Sequence, residues 1–269
     1  MFILLPPSEG KAFPADADPV EFGSLALPAL ADARREMVAA LVELCAGPAE
    51  TAASALGLSE GQRGELDHNR DLLKGPAAPA AQLYRGVLYD ALGLAELQEA
   101  RADDAESLTL YQAAREKLLI FSGLWGVLRP EDRIPRYRCS AGVKLPGIGS
   151  VAAFWRRELA RPLAESIGDR LVVDLRSSAY TGMWKPNGIK NPQRVVTVRV
   201  LHERSVGGKV QRTIVSHFNK ATKGRLTRAL LRSGEQPDTA DRLAGLLREL
   251  GYTAERPAPA AIDLVVREL

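Results

Sequence analysis

The chain begins Met1-Phe2-Ile3-Leu4-Leu5 and stops abruptly at Pro6-Pro7. A run that is apolar at every position offers no polar face to water, so it reads as a short, fully buried strand. Two prolines, which lack amide donors and fix their own φ, end it there. The same five residues are too few for a secretory signal and carry no basic leader. No window of the sequence comes near the ~18 uninterrupted apolar residues of a membrane span. Such a strand needs a core built around it, and 269 residues suffice for one large domain or two small ones.

Residues 28–74 read as helices. Pro28 suits a first turn, Leu30, Met37, Val38, Leu41 and Leu44 recur at helical spacing, and Ser59 stands as a cap before the next segment. Residues 79–92 predict another helix with Leu83, Val87 and Leu88 inward, and residues 107–121 one more, ending at Ser122-Gly123. From Leu171 the pattern changes. Leu171–Leu175 reads as a core strand, while Val195–Leu201 and Val210–His217 are β-branched runs joined through Gly207-Gly208, a hairpin signal. Helices are expected at about 220–233 and 238–250, and Ile262–Val266 as a last strand. Strands at both ends of the chain predict one intertwined domain over residues 1–269, of mixed α/β class, with a mixed sheet surrounded by helices.

Charge divides the chain. Residues 1–110 carry 8 Lys/Arg against 18 Asp/Glu, residues 111–269 carry 28 against 15, and within 129–228 the count is 21 against 7. An acidic, mainly helical half thus precedes a basic one, as in a protein that meets polyanions with part of its surface. The alternative is that the two halves neutralise each other in space. Cys45 and Cys139 form no CxxC pair, which disfavours structural zinc and a disulfide framework and points to a reducing cytosol. His68, His202 and His217 are scattered without ligand spacing. No GxSxG, Walker A or GxGxxG motif occurs, so neither metal nor cofactor has sequence support.

Two turns resemble phosphate-approach hairpins. In Leu145-Pro-Gly-Ile-Gly-Ser150, Gly147 and Gly149 supply permissive backbone, and Ser150 can cap a helix from Val151. This suits the hairpin of a helix-hairpin-helix. It equally suits a plain capped turn whose Val151, Phe154 and Trp155 are core anchors, because residues 134–142 have turn character rather than helical. Ser122-Gly-Leu-Trp-Gly-Val-Leu-Arg-Pro130 follows a predicted helix. There Arg129, extended ahead of Pro130, can project its planar fork into a cleft, or Gly126 can permit close packing while Trp125 fills core. Arg129, Arg133, Arg136 and Arg138 put four arginines in ten residues, and Tyr137 beside Arg138 can stack on a base or stand at a rim.

Lys220 and Lys223 share one face at the predicted start of a helix, where free N–H groups favour an anion; Arg225 and Arg228 extend it. Asp174 ends a strand, with Ser177, Ser178, Tyr180 and Lys185 following, and Ser8, Glu9 and Lys11 follow the first strand. Ligands of open α/β sheets gather beyond the carboxyl ends of strands. If these two strands are neighbours, the two loops converge on one pocket, with Glu9 and Lys11 as a possible acid/base pair.

The stretches PPSEGK (6–11), FSGLWGVLRPEDRIPRYR (121–138), VVDLRSSAY…KP (172–186) and VSHFNKATKGRLTRALL (215–231) resemble, in order and spacing, the YaaA family of bacterial peroxide-stress proteins, across almost the whole chain. The resemblance implies a single mixed α/β fold with a positively charged cleft. It also implies a cytoplasmic DNA-binding protein that limits iron-driven oxidative damage, with basic residues at positions 220 and 223. Two departures stand out: PPSEGK replaces a SPAKT-like loop, and the LPGIG turn is not general to the family.

Two functions compete. A monomeric DNA binder would hold phosphates through Ser8, Lys11, Arg129, Tyr137, Arg138, Ser178, Lys185, Lys220 and Lys223, with little sequence preference. An enzyme acting on a nucleotide or nucleobase-like molecule would use the same cleft, with Glu9, Lys11 or Tyr180 moving protons. A third option is a protein partner with an acidic surface.

Overall fold

The computed structural model describes residues 1–13, 17–186, 189–206, 209–213 and 215–267. Its centre is a sheet of eight strands among these residues: β1 Phe2–Leu5, β2 Leu118–Ser122, β3 Gly126–Leu128, β4 Val172–Asp174, β5 Val195–Val206, β6 Lys209–Thr213, β7 Thr253–Ala258 and β8 Ala261–Val266. The order is β7-β8-β5-β4-β1-β2-β3, with β6 paired to β5. Strands β8, β5, β4, β1 and β2 are parallel; β7, β3 and β6 add antiparallel edges. The opening run is therefore a central strand, with Ile3 opposite Leu118 on one side and Val173 on the other. Phe2, Ile3, Leu4 and Leu5 are wholly buried, as an all-apolar strand in a parallel sheet with both faces covered must be.

Three expected elements change. The helix expected over 107–121 spans Ala105–Lys117, and Leu118–Ser122 is strand β2. Its LLIFS sequence, apolar until the final serine, gains more between β1 and β3 than as a further helical turn with one face in water. The helix expected over 79–92 breaks into Ala80–Leu83 and Val87–Leu92 at Arg85-Gly86, where Gly86 has φ +113°. At that break the chain docks on the first loop: the Arg85 N–H donates to the Gly10 carbonyl (3.0 Å) and the Ala12 N–H to the Leu83 carbonyl (2.8 Å).

The third change concerns 210–233. Strand β6 ends at Thr213 and the helix begins at Ser216, not about 220. The free N–H groups of its first turn therefore belong to residues before Lys220, and Lys220 and Lys223 stand one and two turns in. Pairing of Val206 with Lys209 fits the expected hairpin, whose Gly207-Gly208 turn lies outside the described residues.

Both glycine turns are packed against the rest of the fold. LPGIGS joins two short antiparallel strands, Lys144–Leu145 and Gly149–Ser150, so a strand rather than a helix precedes it and no helix-hairpin-helix forms. Gly147 and Gly149 are required by φ of +73° and +78°. Ser150 Oγ accepts from the Ala153 N–H at 3.4 Å, and Val151, Phe154 and Trp155 are buried, which is the capped-turn reading. In the SGLWG turn, a Cβ at Gly123 would lie 2.4 Å from the Cys139 carbonyl and one at Gly126 2.6 Å from the Trp155 ring. Trp155 Nε1 donates to the Gly123 carbonyl at 2.7 Å, and Trp125 is wholly buried. These glycines admit neighbouring backbone and indole, which is the close-packing reading of Gly126 and Trp125.

Candidate functional site

The parallel strands have two ends with different occupants. At the carboxyl end lie the loop after β1, the turn after β2 with residues 137–139 against it, the segment after β4, and the start of the Ser216–Arg232 helix. These segments touch in pairs: Glu9 with Arg138, the Leu175 N–H with the Leu4 carbonyl, and Lys223 with the Leu175 and Arg176 carbonyls.

Lys11 is the innermost member. It is 7 % exposed, its Nζ donates to the Ser8 carbonyl at 2.9 Å, and it stands 4.3 Å from the Tyr137 ring centroid. Two arginines take the carboxylates that would otherwise pair with it. Arg138 binds Glu9 at 3.2 Å, and Arg136 binds Glu65 while also donating to the Lys11 carbonyl. Burial, opposed by Glu9 and reinforced by Arg138, brings the Lys11 pKa down to about 8. Ser8 donates its hydroxyl to the Arg85 carbonyl, which fastens the loop to the helix break.

Behind Lys11 runs a chain of buried hydroxyls. Tyr84 and Tyr137 hydroxyls are 2.8 Å apart, Tyr137 and Ser122 hydroxyls 2.7 Å, and Ser122 Oγ accepts from the Trp125 N–H at 2.9 Å. Tyr137 is 1 % exposed, so the expectation that it stacks on a base is corrected: it is a core side chain. Asn69 fixes the adjacent backbone, donating to the Arg138 carbonyl at 2.9 Å and accepting its N–H at 2.8 Å. Tyr180 is buried near Glu9 and Tyr84, and burial first, then Glu9, raises its pKa. Burial likewise pushes the Cys139 thiol up to about 12.

Asp174 is not a free acid. Arg176 grips it bidentately, Nε to Oδ1 at 2.9 Å and Nη2 to Oδ2 at 2.6 Å, with both side chains buried. The remaining guanidinium hydrogens go to the Tyr180 and Trp184 carbonyls at 3.2 Å. This strut fixes the 174–184 loop. Sequence reading missed Arg176, although its place two residues after Asp174, on the same face of an extended segment, was a usable signal. Tyr84, Ser122 and Asn69 were also missed, and no local pattern marks them.

The expected phosphate contacts divide. Lys223 is partly buried and donates to the Leu175 and Arg176 carbonyls at 2.8 and 3.3 Å; burial lowers its pKa. Arg138 is held by Glu9. Ser178 is exposed at the start of a four-residue helix. Lys185 and Lys220 are exposed, with no ionic or hydrogen-bond partner among the described residues. Arg228 donates to the Leu92 carbonyl at 2.9 Å.

Arg129 does not join them. It follows β3, which runs antiparallel back from the carboxyl end, and donates to the Arg115 and Glu116 carbonyls at 3.2 and 2.7 Å. It stands at the amino ends of the strands, over the Phe2 ring with Arg170. Its expected place in a basic cleft with Lys220 is thereby corrected. The charge halves also meet in part: Arg136–Glu65, Arg138–Glu9 and Arg232–Glu106 pair basic with acidic segments.

Comparison with known proteins agrees over nearly the full length. A family model described as peroxide stress protein YaaA matches residues 1–257. A UPF0246 protein of Streptomyces coelicolor is 50 % identical over 275 aligned residues, covering all of both chains. Relatives from Corynebacterium efficiens and Corynebacterium glutamicum, also called UPF0246 proteins, are 38 % and 36 % identical over 95 % of each chain.

Proposed function

Since the chain belongs to the peroxide stress protein YaaA family, we propose that it binds DNA through phosphates at the carboxyl end of the sheet and so limits iron-driven damage there. The observation that carries this reading is the pair Lys185 and Lys220, exposed cations without partners among the described residues. Both belong to segments fastened to the stretch after β4. The Trp184 carbonyl is held by Arg176, and Lys223, one turn after Lys220, donates to Leu175 and Arg176.

With lysine ammonium groups as the contacts, binding is to the backbone of the nucleic acid and carries little sequence preference. The balance of 21 basic to 7 acidic residues over 129–228 supplies a longer-range attraction. Among the described residues no helix is long and apolar enough to cross a membrane. Gel shift of a random-sequence duplex over a salt series tests the reading. Affinity should fall with salt by about 0.9 log unit per phosphate contact per log unit of salt. Affinity indifferent to salt, or unchanged on combining Lys185→Ala with Lys220→Ala, overturns it.

A further inference from the structure

We propose that Lys11 is the amine of a carbonyl-condensing site, which forms a Schiff base with a small aldehyde or keto acid at the carboxyl end of β1. This activity is independent of DNA binding, because Lys11 lies beneath the loop rather than among the exposed lysines.

The argument rests first on what Lys11 lacks. A buried lysine ordinarily lies against a carboxylate, and both carboxylates within its field are already paired, Glu9 with Arg138 and Glu65 with Arg136. Its amine keeps one backbone carbonyl and an aromatic face. That environment leaves about a tenth of the amine uncharged at pH 7, against well under a hundredth for an ordinary lysine, and the uncharged form is the nucleophile. Glu9 and Gly10, just before it in the same loop, are exposed. Arg138, partly exposed, can exchange Glu9 for a carboxylate on the incoming molecule, which frees Glu9 beside the amine.

In the reaction the Nζ lone pair adds to the carbonyl carbon and the C=O π pair moves to oxygen. That oxygen takes up the proton the nitrogen loses, with Glu9 as carrier. The resulting hydroxyl then takes the nitrogen's second proton, relayed by the same carboxylate, and leaves as water while the nitrogen lone pair closes the C=N bond. One water is released and nothing is oxidised or reduced.

The test uses the full chain with glyoxylate, a small anionic aldehyde, and cyanoborohydride to trap the adduct, followed by peptide mass mapping. At pH 7 one carboxymethyl group should appear on Lys11, at least about tenfold faster than on the exposed Lys74 or Lys144. Glycolaldehyde, which lacks the carboxylate, should react more slowly at Lys11 alone. Lys11→Arg, which keeps the charge, should lose only the fast adduct. If that variant fails to fold, mapping of the unaltered chain still decides. Modification of Lys74 and Lys144 as fast as Lys11, or an unmodified Lys11 peptide, overturns the proposal whether or not DNA is bound.

Discussion

At the amino ends of the parallel strands, Arg129 and Arg170 rest on the last carbonyls of the helices Ala105–Lys117 and Ala160–Ile167. At the carboxyl ends, Lys220 projects from a helix that begins there, and it has no partner among the described residues. The contrast follows from helix polarity. A helix that leads into a parallel strand delivers its negative pole to the amino end, where a cation satisfies orphan carbonyls. A helix that starts at the carboxyl end presents its positive pole, and lysines near it remain available to an outside anion. Side chains of the same charge thus act structurally at one end and, in the proposed function, as ligand contacts at the other.

The largest test of this contrast removes the strut that shapes the carboxyl end. Arg176→Met should cost about 3–5 kcal/mol in denaturant unfolding, because Asp174 is left buried and uncompensated. A loss below ~1 kcal/mol would mean that the pair does not hold the loop.

Next in size is the pH dependence of Lys11. Folding lowers its pKa from 10.5 to about 8, so the native state carries the cost of a buried charge in full below pH 8. The cost lifts as pH rises from about 8 toward 10.5. Relative to Lys11→Met, the wild-type chain should gain about 1.4 kcal/mol per pH unit between pH 8 and 10. A difference that stays flat over that range contradicts a depressed Lys11.

Arg129→Ala addresses the amino end. It should cost about 1–2 kcal/mol through loss of the two carbonyl contacts while leaving the salt slope of DNA binding unchanged. A reduced slope would mean that both ends touch DNA. The smallest stability effect is expected for Lys185→Ala with Lys220→Ala, within about 0.5 kcal/mol of the parent. That double variant should nevertheless reduce the salt slope by about 2.

Much of the fold could be read locally. The opening strand, the strand at 171–175, the last strand, the helix starting at Val151 and the α/β class all follow from apolar periodicity and turn chemistry. Leu118–Ser122 did not: a short apolar run fits strand or helix alike, and only its place between β1 and β3 decides. Of the candidate site, the meeting of the 6–11 and 174–184 loops was legible, because ends of neighbouring parallel strands must converge. The fates of individual cations were not, since Glu9 and Arg138 lie far apart in sequence and nothing near either marks the other.

By itself, then, the sequence determined which segments are buried, where the turns fall, which family the chain resembles, and that cations are concentrated in its second half. Tertiary structure alone decided which of those cations are free. Hydrophobic periodicity is a property of neighbours along the chain, whereas the state of a charge depends on partners and solvent brought near by folding. Arg129 on its helix carbonyls, Lys223 on the end of β4 and Lys11 deprived of both carboxylates are three basic residues with three different environments. No local pattern distinguishes them.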